Sequence, residues 1–211
     1  MPRTEIIDEL IRDGVIVAYY DFRKRTLRDL AGVGGDATPG DTTNVIHNGR
    51  GYSVSTGGPN AVTIPNSAPL QAANDGTVMW WGRQRWPGAV KYTIIKGYPD
   101  FSLVWLAVDG RLQFRSNAGT SVLNGLTGQY RTLGLDYYST TTAPAMYTDG
   151  EFFGHFGAAR AVTMDNNNCL LGGSGGANSG IGLGTVYEGL IWTHRRLTAQ
   201  EHRQIYRELM A

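Results

Sequence analysis

Residues 184 to 209 read G-T-V-Y-E-G-L-I-W-T-H-R-R-L-T-A-Q-E-H-R-Q-I-Y-R-E-L, a strand, a helix start and a helix in uninterrupted order. Val186 to Thr193 is rich in β-branched and aromatic residues and reads as a strand. Alternation puts Val186, Glu188, Leu190 and Trp192 on one face and Tyr187, Gly189 and Ile191 on the other. Thr198 followed by Glu201 is a capping box, because the hydroxyl can accept from the third helical N–H while the carboxylate reaches back to the cap's own N–H. A helix is therefore expected from Ala199. In it Ile205 and Leu209 share one face with Tyr206, while Gln200, Arg203, Arg207 and Glu208 point elsewhere. Such a narrow stripe suits a helix lying over a sheet.

This ending, a strand closing on an aromatic, then Arg196-Leu197-Thr198-Ala199-Gln200-Glu201 and a short helix with Ile205-Tyr206 and Leu209, resembles the C-terminal signature of concanavalin A-like domains of the laminin G and pentraxin type. Tyr20-Asp21-Phe22 with Leu27-Arg28-Asp29 is similar to that family's opening strand and its Asp-containing turn, and Val62 to Ser67 to its second strand. Thr77-Val78-Met79-Trp80-Trp81 is similar to the strand before the central pair, Tyr147-Thr148-Asp149-Gly150 to the Tyr-x-Asp-Gly hairpin, and Leu170-Leu171-Gly172-Gly173 to the strand and glycine pair before the last strand. These matches run in the family's order over residues 15 to 209. The resemblance implies an all-β fold, an antiparallel jelly-roll β-sandwich of the concanavalin A-like type, with short N-terminal and C-terminal helices.

Outward from that stretch the rest of the chain agrees. Its 211 residues suit one large β domain. The 29 glycines fit a chain of many turns, and 18% charge is too low for a disordered protein or a coiled coil. A net charge of +1 gives no electrostatic case for nucleic acid or acidic membrane. Asp109-Gly110, between Phe101 to Val108 and Arg111 to Ser116, and Asp149-Gly150, between Ala145 to Thr148 and Glu151 to Phe156, predict two hairpins with two-residue turns. Further strands are expected at Val15 to Phe22, Gly51 to Ser55, Ala61 to Pro65 and Thr77 to Trp81. Residues 32 to 44 and the glycine-rich 172 to 184 read as loops.

Residues 4 to 12 place Ile6, Ile7, Leu10 and Ile11 on one helical face, ended by Asp13-Gly14. The domain division is thus a helical arm at 1–14 and a sandwich at 15–211. The arm either packs on its own sandwich or docks into a partner's groove. Arg83, Arg85 and Trp86 form either a cationic and aromatic patch or ordinary solvated residues at a strand end. Trp86 and Tyr98 are the candidate platforms for stacking a sugar.

The residues offer little chemistry. A retaining glycosidase needs two carboxyl groups about 5 Å apart, and the Glu-x-Asp-x-Glu strand of the glucanase relatives is missing. Glu188 stands alone, while Asp149 and Glu151 straddle a turn. His47, His155, His194 and His202 lack zinc-site spacing, and Cys169 reads as a small apolar strand residue. Asp165, Asn166, Asn167 and Asn168 offer oxygens that suit calcium, but an Asn-rich turn is the commoner explanation. No cofactor or metal is assigned, and no enzyme activity is expected.

The resulting expectation is a binding or structural module. By resemblance the fold works outside cells, whereas a secretion signal and disulfides are missing here. A bacteriophage virion protein, made in the host cytoplasm, reconciles the two. It would be a capsid decoration or tail-associated protein, a homo-oligomer touching neighbouring virion subunits or surface glycans. A free-standing carbohydrate-binding lectin is the alternative.

Overall fold

The computed structural model of the chain describes residues 5–40, 45–54, 62–72, 74–83, 90–96, 101–106, 111–116, 119–125, 129–140, 142–159, 161–162, 168–171 and 186–211. The elements are α1 Ile6–Arg12, β1 Ile16–Asp21, β2 Thr38–Pro39, β3 Val45–His47, β4 Tyr52–Val54, β5 Val62–Ile64, α2 Ala68–Ala72, β6 Gly76–Arg83, β7 Val90–Lys96, β8 Phe101–Leu106, β9 Arg111–Ser116, β10 Gly119–Leu123, β11 Thr132–Tyr137, β12 Ala145–Thr148, β13 Glu151–His155, β14 Cys169–Leu171, β15 Val186–Thr193 and α3 Ala199–Met210. The strands form two antiparallel sheets. One runs β13-β12-β11-β6-β15-β4-β3, with β1 also pairing β15, and the other runs β10-β9-β8-β7-β14-β5-β2.

The chain is thus an antiparallel β-sandwich with short helices at both ends, as its sequence implies. The inner face of the eight-stranded sheet brings Tyr20, Phe22, Trp80, Leu133, Leu135, Met146, Leu190 and Trp192 against Val62, Ile64, Leu112, Phe114, Cys169 and Leu171 of the seven-stranded sheet. On the outer face, Ile7 and Leu10 of α1 and Ile205 and Leu209 of α3 cover Ile16, Tyr19, Met79, Trp81 and Ile191. With apolar layers on both sides, β1 and β11 are buried along their whole length. Fully buried strands read as continuous apolar runs and show no alternation. No helix among the described residues is long and apolar enough to cross a membrane.

The opening stretch departs from strict alternation at one point. Tyr187 pairs Gly82 and Gly189 pairs Trp81, so β15 carries an extra residue there. This bulge turns Tyr187 into the inner core beside Leu190 and Trp192 and away from Ile191, with which alternation had placed it. Glycine is needed at 189, since a Cβ there would lie 2.0 Å from the Trp81 ring and 2.4 Å from the Tyr20 carbonyl oxygen.

Ile7 and Leu10 are buried on the chain's own sheet, and Ile6 and Ile11 are partly covered by the same cluster. The backbone N–H of Ile7 donates to Glu208 of α3 at 3.3 Å. Burial pushes the Glu208 carboxyl up from its ordinary value. The Asp149-Gly150 turn forms as expected, with φ of 50° and 81°. The other hairpin pairs Leu106 with Arg111; its Asp109-Gly110 turn lies outside the described residues. The central strand β11, the strands β3, β7 and β10, and α2 were not expected from sequence, and β2 falls within the 32 to 44 segment that read as a loop.

Candidate functional site

A cleft of about 720 Å³ opens at one end of the eight-stranded sheet, lined by Asp75, Tyr138, Thr140, Thr142, Arg195, Arg196, Leu197 and Thr198. The sheet order explains why these residues meet. β11, β6 and β15 are antiparallel neighbours, so the start of β6 lies beside the ends of the other two. Asp75 precedes β6, Tyr138 to Thr142 follow β11, and Arg195 to Thr198 join β15 to α3.

Each wall is held by identifiable bonds. Asp75 accepts from the Ser139 backbone N–H at 2.7 Å and from its hydroxyl at 3.1 Å. The Thr140 and Thr142 hydroxyls lie 3.2 Å apart. Arg195 donates to both oxygens of Glu201, at 2.7 and 3.1 Å, and Glu201 completes the capping box with Thr198. Burial alone would raise the Glu201 carboxyl, but Arg195 and the two Thr198 hydrogen bonds outweigh it and hold the group below its ordinary value. The Arg195 charge is therefore spent within the wall. Arg196 differs, because its guanidinium carbon lies 4.5 Å above the centroid of the buried Tyr138 ring, and among the described residues no acceptor takes its side-chain N–H groups. A planar cation laid on an aromatic face keeps its in-plane donors free for a ligand.

A buried polar chain links this cleft to the underlying sheet. The Leu197 N–H donates to the Thr77 hydroxyl at 3.0 Å, which donates to Asp136 Oδ1 at 2.5 Å. That same oxygen lies 3.2 Å from His202 Nε2. The His202 ring is fully buried and stacked on Tyr147, with centroids 3.7 Å apart. Burial, followed by the Asp136 charge, pushes the Tyr147 phenol up, while Arg196 and Arg203 act against it. This network seats α3, and with it the Arg195 to Thr198 wall.

Of the site residues suggested by sequence, those whose side chains are described do not line the cleft. Ile6, Ile7, Leu10 and Ile11 lie over the sheet as described above. Arg83 closes β6, its side chain outside the described residues, as are Arg85, Trp86 and Tyr98. Asp165, Asn166 and Asn167 fall outside as well, and Asn168 accepts from the Asn66 N–H at 3.0 Å. Among the described residues, no group of three or more His, Cys, Asp or Glu side chains could hold a metal ion. Asp149 accepts from the Arg131 and Thr132 N–H groups, Glu151 lies 3.5 Å from Arg203, and the buried Glu188 lies 3.4 Å from Arg131. Sequence reasoning used Thr198 and Glu201 as a helix cap and passed over the adjacent Arg195-Arg196 pair. That pair, with the Ser139 to Thr142 hydroxyl run, was the signal available.

No family model matches the chain, and no curated protein matches it. Solved structures do. Trypanosoma rangeli sialidase in complex with sialic acid is similar at TM-score 0.63 and 14% identity, over 92% of this chain and 33% of that one. A structure of botulinum neurotoxin type C, which depends on interaction with two ganglioside molecules to enter cells, is similar at TM-score 0.69 and 9% identity, over 95% of this chain and 52% of that one. The chain therefore spans about a third of the sialidase and about half of the neurotoxin chain. At such identities the likeness is one of fold, a lectin-like β-sandwich.

Proposed function

We propose that this chain is a non-enzymatic carbohydrate-binding module, with the cleft between Asp75, Thr140, Thr142 and Arg196 as its site. The observation that carries this reading is the Arg196 guanidinium, set over the Tyr138 ring with no side-chain acceptor among the described residues, lining one cleft with a carboxylate and two hydroxyls. Sugars are recognised by planar polar groups that exchange hydrogen bonds with ring hydroxyls, and Tyr138 serves here to hold the Arg196 donors in place. The carbohydrate ligands of the two fold neighbours agree with it. Among the described residues Asp75 is the carboxylate that lines the cleft, and the function proposed is binding without turnover.

A glycan array probed with the wild type and with Arg196→Ala tests this. Saturable binding to a defined glycan class, lost or weakened about tenfold in the variant, is expected. Equal binding by both proteins removes the cleft from the argument, and a blank array with folded protein refutes the reading. The virion setting and the homo-oligomer rest on the sequence argument alone. Detection of the chain on purified phage particles and its native mass in solution are their tests.

A further inference from the structure

Phe152 is 51% exposed, one of two large apolar side chains so exposed among the described residues. It sits on β13, the outermost strand of its sheet, where exposed apolar residues invite unwanted pairing and are normally avoided. Its surroundings are ordered. The ring meets Tyr147 edge-on at 5.6 Å and His155 at 5.1 Å.

Phe152 and His155 are three residues apart and would occupy opposite faces of a regular strand. Here the register shifts, with Tyr147 opposite Phe152 but Met146 opposite Gly154, so Phe153 is the extra residue of a bulge. The bulge brings Phe152 and His155 to one face and turns Phe153 against the inner core. It also interrupts the edge ladder that another strand would need. A bulge that re-aims two rings outward while blocking strand addition is a feature of recognition by side chains.

We infer that Tyr147, Phe152 and His155 form a stacking ledge that continues the cleft, so that the module takes a linear oligosaccharide and not a single sugar. This rests on the carbohydrate reading above. Beneath the surface the ledge and the cleft are held by one buried network, in which Tyr147 stacks on His202, and His202, Asp136 and Thr77 lead to Leu197 in the cleft wall. Tyr138, just past the end of β11, stands four residues from Gly134, which pairs Tyr147, which pairs Phe152. At ordinary strand rise and spacing, Tyr138 and Phe152 are about 17 Å apart, more than one sugar ring spans. His155, opposite Ala145 and thus level with Asp136, lies between them.

Isothermal titration with size-graded oligomers, from mono- to hexasaccharide, of β-1,4-linked glucose, β-1,4-linked N-acetylglucosamine and a β-1,4-linked uronic acid tests the ledge. In the series that binds, affinity should rise about tenfold from monosaccharide to tetrasaccharide. Phe152→Ala with His155→Ala should abolish that rise and leave the monosaccharide affinity unchanged. Phe152→Leu, which keeps apolar area but removes the ring, should lose most of it. Length-independent binding by the wild type, or a rise that survives in the double variant, overturns the ledge while the cleft stands. Failure of every oligomer to bind the wild type refutes the carbohydrate reading and the ledge with it.

Discussion

Gly134 on β11 lies beneath His202, and replacing it with alanine tests how α3 and the cleft wall are seated. A Cβ at 134 would stand 2.9 Å from His202 Cε1 and 3.0 Å from Nδ1. The imidazole cannot step aside, since Asp136 holds Nε2 and the stacked Tyr147 ring holds its plane. Helix or strand must give instead. Overpacking of this kind costs about 2–3 kcal/mol, which for a chain of this length lowers Tm by about 4–12 °C. The assay is thermal unfolding followed by circular dichroism, run as a cycle with His202→Ala. That variant alone loses its hydrogen bond and stacking, a cost of about 2–4 kcal/mol. With the ring gone, Gly134→Ala should be neutral or stabilising, because it meets no obstacle and lowers the entropy of the unfolded chain. The coupling of about 2–3 kcal/mol is the signature of the contact. An equal cost of Gly134→Ala in both backgrounds refutes the reasoning.

Gly150→Ala should destabilise by about 1–3 kcal/mol, since φ is +81° and a Cβ would lie 2.9 Å from Tyr206 Cβ and 3.0 Å from Arg203 Cα; urea denaturation checks it. Glu201 is held below its ordinary carboxylate value, so its stabilising contribution is complete above the unfolded-state pKa and is lost as pH falls through the lowered folded-state value. Glu201→Gln should therefore cost about 1 kcal/mol near neutrality and nothing in strong acid, measured as the difference in unfolding free energy from the wild type across pH.

Much of the architecture was legible because it is written locally. Thr198 and Glu201 are three residues apart and announce a helix start without help from the rest of the chain. Asp149-Gly150 likewise takes positive φ by its own chemistry. β11 escaped notice because Thr132 to Tyr137 is buried on both faces and contains Gly134 and Asp136. Its glycine and carboxylate make sense only once His202 is seen between them and Tyr147. The same limit applies to Tyr187, whose face depends on a bulge against β6, where Gly189 makes room for Trp81, more than 100 residues earlier in the sequence.

The candidate site was the least legible part. Asp75, Tyr138 and Arg196 belong to three separate connections, and nothing in their local pattern links them. What the sequence by itself determined was the turns, the caps and the apolar periods, and the family resemblance these carry implied an all-β sandwich flanked by two short helices. The tertiary structure alone decided which polar residues meet. Local propensity acts over a few residues, whereas Arg196 reaches Tyr138 only because two antiparallel pairings through β6 bring the ends of β11 and β15 to the same edge.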